Sequence, residues 1–282
     1  MIEYSKFFQF LKNKCKIIYD IYTIPLLVGI LRDLKSFEIR NTMQKESTNS
    51  ENLIPKKIHL VWNTKDIPPM YSENIASILK YHQNWEIIIW THEEMDEYVN
   101  NCNKKYYEFY KELKFQIQKC DFFKLLIVFE MGGVYLDLDV TLVKSFDALI
   151  YKTNTFFPCE KVLSQQQLSE YGDRDSVRIG YYAFGSIPNH PFFQYFLDKM
   201  LDVKSIESNF EDKNNYIINS TGPGLLTISY HDFIKKFPYS DISILYPTIF
   251  TKSACGCGSF KYVTSCCIGS FGFHQHYGAW RI

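Results

Sequence analysis

The 282-residue sequence predicts an α/β fold: a mostly parallel central sheet flanked by helices, with a helical N-terminal extension. Three patterns carry this expectation. Short apolar runs at Lys57 to Trp62 and Trp85 to Trp90 alternate with helical stretches over 71–81, 93–101 and 104–113. Strand, helix, strand, helix, strand is the order of a parallel sheet covered on its faces by helices. From about Gln116 to Met131 the chain is apolar, with polar residues three or four apart, and then meets Gly132-Gly133. That pattern marks a buried helix ended by glycine. Behind the glycines, Val134, Leu136, Leu138 and Val140 alternate with Tyr135, Asp137, Asp139 and Thr141, the period of a strand running to Val143.

Taken in order, residues 1–40 read as a basic, apolar extension. Between residues 1 and 35, six Lys and Arg face three Asp and Glu, a local charge of +3. Phe7, Leu11, Cys15, Ile18 and Tyr22 share one helical stripe. The most apolar run, Ile21 to Leu31, is too short to span a bilayer. Such a segment either lies on a membrane surface or packs on the domain that follows. Residues 41–52 are polar and aperiodic and read as a linker, which leaves 53–282 as the catalytic domain. Beyond the central stretch, Phe156 to Cys159 reads as a strand and 160–178 as a polar loop. Ile179 to Gly185 follows as a strand, then His190 to Leu201 as a helix. Asn219-Ser-Thr-Gly-Pro-Gly224 opens a last helix, Leu225 to Lys236, whose free backbone N–H groups could meet phosphate or sugar hydroxyls.

Asp137 and Asp139 are the chemical focus. Two carboxylates on one strand face repel, and near a core each would be pushed toward its neutral form unless a positive partner intervenes. A hard divalent cation is the simplest such partner, with Mg²⁺ or Mn²⁺ suited to carboxylate oxygens. In parallel sheets ligands gather at the carboxyl ends of strands, where both His59–Trp62 and Asp137–Asp139 are expected. Trp62 is either a stacking surface for a base or a core tryptophan.

A helix with Asp121-x-x-Lys124, followed by Gly132-Gly-x-Tyr135-x-Asp137-x-Asp139, resembles the core of DXD-containing sugar-nucleotide glycosyltransferases of the family 32 type. Ile54-Pro-Lys-Lys-Ile-His59-Leu-Val-Trp62 resembles that family's opening strand, and the resemblance covers about residues 53–145. It implies a GT-A-like nucleotide-diphosphosugar transferase fold and a retaining hexosyl or N-acetylhexosaminyl transfer. The donor would be a UDP- or GDP-sugar, and the acceptor a glycan or lipid-linked glycan, as in surface polysaccharide synthesis. It assigns Asp139 to the metal, Asp137 to metal or ribose, and Asp121 with Lys124 to the donor sugar. Relatives more often carry Arg where this chain has Lys124, which lacks the bidentate fork. The same resemblance adds His59, Gly133, Tyr135, Gly222 and Trp280 to the donor site. Of the two C-terminal histidines, His274 and His276, it favours His276 as a metal or diphosphate contact; Ala279 stands where the family has Ser.

Composition is globular, 46% hydrophobic and 22% charged, and the zero net charge gives no sign of nucleic-acid binding. With no signal peptide in view, the eight cysteines are expected as free thiols in a cytoplasmic protein, peripheral to the inner face of the membrane. The tail cysteines 255, 257, 266 and 267 lack the usual zinc spacing. Two alternatives stay open. Asp137-Leu-Asp139-Val-Thr141 also fits the nucleophile motif of haloacid-dehalogenase-type phosphatases. The domain could also bind sugar nucleotide without transferring it.

Overall fold

The computed structural model describes residues 54–162, 177–205, 213–245, 250–252 and 271–277. The N-terminal extension, the linker, the four tail cysteines and Trp280 lie outside these residues. One compact unit comprises residues 49–160 and 179–282; the other, Met1–Thr48 with Lys161–Arg178, falls almost wholly outside them.

The expected alternation is present. Strand β1 (Lys57–Val61) is followed by α1 (Ser72–Tyr81), β2 (Glu86–Trp90), α2 (His92–Asn100) and α3 (Lys104–Glu112). Next come α4 (Gln116–Met131), β3 (Gly133–Leu136), β4 (Val140–Leu142) and a one-turn α5 (Asp147–Ile150). The second half adds β5 (Thr155–Val162), β6 (Val177–Ile179), β7 (Ala183–Ser186), α6 (Pro191–Leu201), α7 (Lys213–Ser220) and α8 (Pro223–Lys236). Three short strands follow: β8 (Ile242–Leu245), β9 (Phe250–Lys252) and β10 (Gly272–His274).

The main sheet runs β2-β1-β3-β7-β5, with β8 beside β5. Pairs β2/β1, β1/β3 and β5/β8 are parallel, and β7 runs antiparallel between β3 and β5. Val134 and Leu136 of β3 enter one apolar cluster, with α1 and β4, while Tyr135 enters the other, with α4, α6 and α8. Alternating side chains point to opposite faces, so the sheet separates two cores.

Two expected strands are interrupted. The period-two run from Val134 ends at Leu136; a turn at 137–139 follows, closed by Val140 N–H donating to the Asp137 carbonyl at 3.1 Å. β4 then joins a second sheet, antiparallel to β10, which pairs in parallel with β9. Residues 179–185 likewise split at Gly180–Tyr182, where the Tyr182 carbonyl accepts the Asp137 N–H at 2.7 Å. The two breaks thus meet, and the chain leaves the sheet where Asp137 begins. Helix α7 had no counterpart in the sequence reading, since its eight residues, KNNYIINS, carry a short and weakly apolar pattern.

Helix α4 forms as its pattern requires. Phe122, Phe123, Leu125, Leu126, Ile127 and Val128 are fully buried. At its start the Gln118 side chain accepts the Phe115 N–H at 3.2 Å, satisfying a backbone donor the first turn leaves unpaired. It ends at Gly132 and Gly133, with φ of 66° and 100°, a region that side chains with a Cβ rarely enter. A Cβ on Gly133 would also sit 2.8 Å from the Lys57 carbonyl, so the second glycine lets β3 lie against β1.

Candidate active site

The carboxyl ends of β1, β2 and β3 open onto a cleft of about 510 Å³. Trp62, Tyr71, Tyr135, Asp137, Asp139, His274 and His276 line one part of it, while His92, Phe115, Ile117, Cys120 and Lys213 line the rest. Trp62 follows β1 directly; its N–H donates to the Trp90 carbonyl at 3.0 Å, and its ring meets Tyr71 edge-on at 5.2 Å. Trp62 was expected here. Tyr71 and His92 were not, because a tyrosine and a histidine among many carry no distinguishing spacing.

The turn at 137–139, rather than one flat strand, presents the two carboxylates. Asp137 Oδ1 accepts the Tyr135 hydroxyl at 2.8 Å. Asp139 Oδ2 accepts the Tyr277 N–H at 3.0 Å, and its carbonyl accepts the Gln275 N–H at 2.9 Å. These two bonds strap residues 272–277 across the turn and bring His274 Nε2 to 2.9 Å from Asp139 Oδ1. Asp137, Asp139 and His274 thereby offer ligand atoms that all lie within 4.8 Å of one another. The histidine in this group is His274, not the favoured His276. The latter sits at φ 57°, its ring 3.8 Å from that of His274, on the cleft wall beside the carboxylates.

Burial raises the pKa of Asp137; Lys124 opposes that, and the neighbouring charge of Asp139 adds to it. Burial would also raise Asp139, but the hydrogen bond and charge of His274 win and hold it below the usual range. Two carboxylates with an imidazole in reach suit a divalent cation with mixed oxygen and nitrogen ligands. The residues fit Mn²⁺ or Mg²⁺.

Several expected donor contacts lie elsewhere. His59 is fully buried in the middle of β1. Its Nε2 meets the Gly132 carbonyl at 2.9 Å, and its Nδ1 accepts from Trp90 Nε1 at 3.2 Å. Burial lowers its pKa to about 4, so it is a neutral ring bracing the helix end. Gly133 touches β1, not the cleft. Gly222 is buried and caps α7, its N–H donating to the Ile217 carbonyl at 3.1 Å. Asp121 and Lys124 form an ion pair of 2.8 Å beneath the floor, each side chain only 6% exposed. Burial alone would lower the Lys124 pKa, but the charges of Asp121 and Asp137 more than offset that and keep it an ammonium. Burial raises Asp121 against the pull of Lys124. The i,i+3 spacing was legible; the depth was not. Cys102 and Cys120 are free thiols.

A phosphatase using Asp137 as nucleophile would need an open carboxylate aimed at substrate. Here that half-buried group accepts the Tyr135 hydroxyl and shares the cleft wall with Asp139 and His274, whose ligand atoms lie within 4.8 Å of its own.

Residues 68–156 match the family model described as a glycosyltransferase sugar-binding region containing DXD motif. Mannosyl phosphorylinositol ceramide synthase SUR1 of Saccharomyces cerevisiae is 28% identical over 75% of this chain and 51% of its own length. Inositol phosphoceramide mannosyltransferase 3 of Schizosaccharomyces pombe is 26% identical over 73% of this chain and 54% of its own. The chain thus spans about half the length of these curated relatives. An uncharacterized glycosyltransferase of Acanthamoeba polyphaga mimivirus, L373, is 26% identical over 81% of this chain and 84% of its own length. Among solved structures, the PaToxG glycosyltransferase superposes with a TM-score of 0.50 at 16% identity, covering 75% of this chain and 81% of that one, which shows a shared fold. Residues 68–156, with the Asp-Leu-Asp turn among them, are thus similar to the sugar-binding region of DXD-containing glycosyltransferases of the family 32 type, and the chain has a GT-A-like fold.

Proposed function

We propose that the chain transfers a hexose, with mannose the first to test, from a UDP- or GDP-sugar to a glycan or lipid-linked glycan, with retention at the anomeric carbon. The grouping of Asp137, Asp139 and His274 on the cleft wall carries this reading. The mannosyl names of the relatives support the choice of sugar, and their ceramide acceptors support a lipid-linked one.

In this reading Asp139 and His274 would hold a divalent cation together with Asp137. Bound there, the cation supplies Lewis-acid stabilisation of charge on the leaving diphosphate. The chain's own residues do the rest. Tyr135 keeps Asp137 aimed at the cleft through its hydroxyl. Trp62 and Tyr71 offer ring faces and edges to the nucleotide base, and the strap at 272–277 covers Asp139 and limits its access to water. Contact with a membrane surface would come from residues 1–40, placing the protein at the inner face of the cytoplasmic membrane. Among the described residues, no helix is long and apolar enough to cross a bilayer.

The test is a panel of UDP- and GDP-sugars, with Mn²⁺, Mg²⁺ or chelator, scored by release of nucleoside diphosphate. Metal-dependent turnover of one donor is expected. Full turnover in chelator, or release of phosphate from simple phosphate esters instead, overturns the reading.

A further inference from the structure

Helix α4 is buried almost all round, yet Gln118, Asp121 and Lys124 lie three apart along one side of it, each nearly sealed from water. Polar and charged groups inside a core are costly, and apolar replacements of similar size are often neutral or stabilising. Each of these three has a partner. Gln118 Nε2 donates to Ser220 Oγ at 2.7 Å. Thr221, fully buried at the junction of α7 and α8, donates its hydroxyl to Asp121 Oδ2 at 3.1 Å. Asp121 Oδ1 holds Lys124 Nζ, which lies 4.0 Å from the Tyr181 ring centre and 5.2 Å from that of Tyr135. The Tyr135 hydroxyl donates to Asp137.

We propose that Thr221 is a positioning residue for Asp137, acting through Asp121, Lys124 and Tyr135. The inference rests on the transferase reading. The hydroxyl engages one carboxylate oxygen of Asp121, while the other meets Lys124. With Asp121 fixed, the ammonium stays seated between the two tyrosine rings, where cation–π attraction holds the face of Tyr135. A fixed Tyr135 ring sets the direction of the Asp137 carboxylate. Replacing Thr221 by Val keeps the shape but removes the donor. The freed carboxylate oxygen then competes for Lys124 and draws it off the rings, so Asp137 loses its orientation and with it the preorganised grip of the site. The Gln118–Ser220 tie, one turn away, touches neither Lys124 nor Tyr135 in this chain of contacts and serves as the structural control.

The experiment compares Thr221→Val, Thr221→Ser, Ser220→Ala, Tyr135→Phe and the double variant Thr221→Val/Tyr135→Phe in the full chain. Two readouts are used: kcat and KM for the donor well below each Tm, and Mn²⁺ affinity by calorimetry without donor. Thr221→Val is expected to lower kcat and weaken Mn²⁺ binding, each about tenfold, with donor KM little changed. Thr221→Ser stays within about twofold of the parent, and Ser220→Ala lowers Tm alone. The double variant does no worse than Tyr135→Phe, the non-additivity of residues acting in series. Unaltered kcat and Mn²⁺ affinity in Thr221→Val overturns the proposal. So do effects that multiply with those of Tyr135→Phe, or an equal loss in Ser220→Ala. If Thr221→Val does not fold, Thr221→Ala takes its place in the same cycle. A parent that binds Mn²⁺ but transfers no sugar refutes the transferase reading alone, while the Mn²⁺ affinities still judge the role of Thr221.

Discussion

Asp139 is the residue on which the proposed chemistry turns: its carboxylate in the DXD turn is tied at once to His274 and to the backbone of the strap. Asp139→Asn keeps the shape and removes the charge. Turnover should fall at least about a thousandfold while near-ultraviolet dichroism stays that of the parent, because the stabilisation of the leaving diphosphate is lost. His59 makes the contrasting case. His59→Leu would orphan the Gly132 carbonyl and the Trp90 indole N–H, costing about 2–4 kcal/mol of stability, with turnover per folded molecule unchanged. His59 and His82 also set a pH dependence. Burial lowers both to about 4, so between pH 6.5 and 4 the unfolded chain binds more protons than the folded one. Their contribution is fully present above pH 6.5 and is lost as pH falls toward 4, a few kcal/mol in all. Urea midpoints measured across that window should drop steadily; a flat profile would contradict neutral, buried imidazoles.

At the scale of elements, the glycine pair and the C-terminal strap decide whether the carboxylates meet. Gly133→Ala puts a Cβ against the Lys57 carbonyl at a φ of 100°. It should cost at least about 2 kcal/mol and show as a lowered denaturation midpoint. The strap depends on Gly272, where any Cβ would run into the Thr141 carbonyl across the β4/β10 pair. Gly272→Val is therefore expected to release His274 and Tyr277 from Asp139 and to abolish Mn²⁺ binding, while the main sheet, read by far-ultraviolet dichroism, persists. Unchanged Mn²⁺ affinity would show that β10 is not needed to assemble the site. These elements differ in how far they could be read from the residues. Helix α4 and the glycine stop stand out in the chain as an apolar pattern and a dipeptide. The break after Leu136 does not, since Asp137 and Asp139 continue the alternation while the backbone turns to meet Tyr182.

For the molecule as a whole, the cleft lies where parallel strands end, as ligand sites in such sheets do. If residues 1–40 carry the membrane contact, the full chain should sediment with vesicles while a chain lacking them stays in solution; equal behaviour of the two would remove that role. The local order of strands and helices, the DXD motif, Trp62 at the end of β1 and the i,i+3 pair Asp121–Lys124 were all determined by the sequence, because each rests on periodicity or on residues close together in the chain. Which histidine joins the aspartates, why His59 and Gly222 stay out of the cleft, and how deep Lys124 sits were decided only by tertiary structure. Those outcomes depend on partners some 70 to 140 residues away, such as Gly132 for His59 and Asp139 for His274, and no spacing within one segment encodes such a meeting.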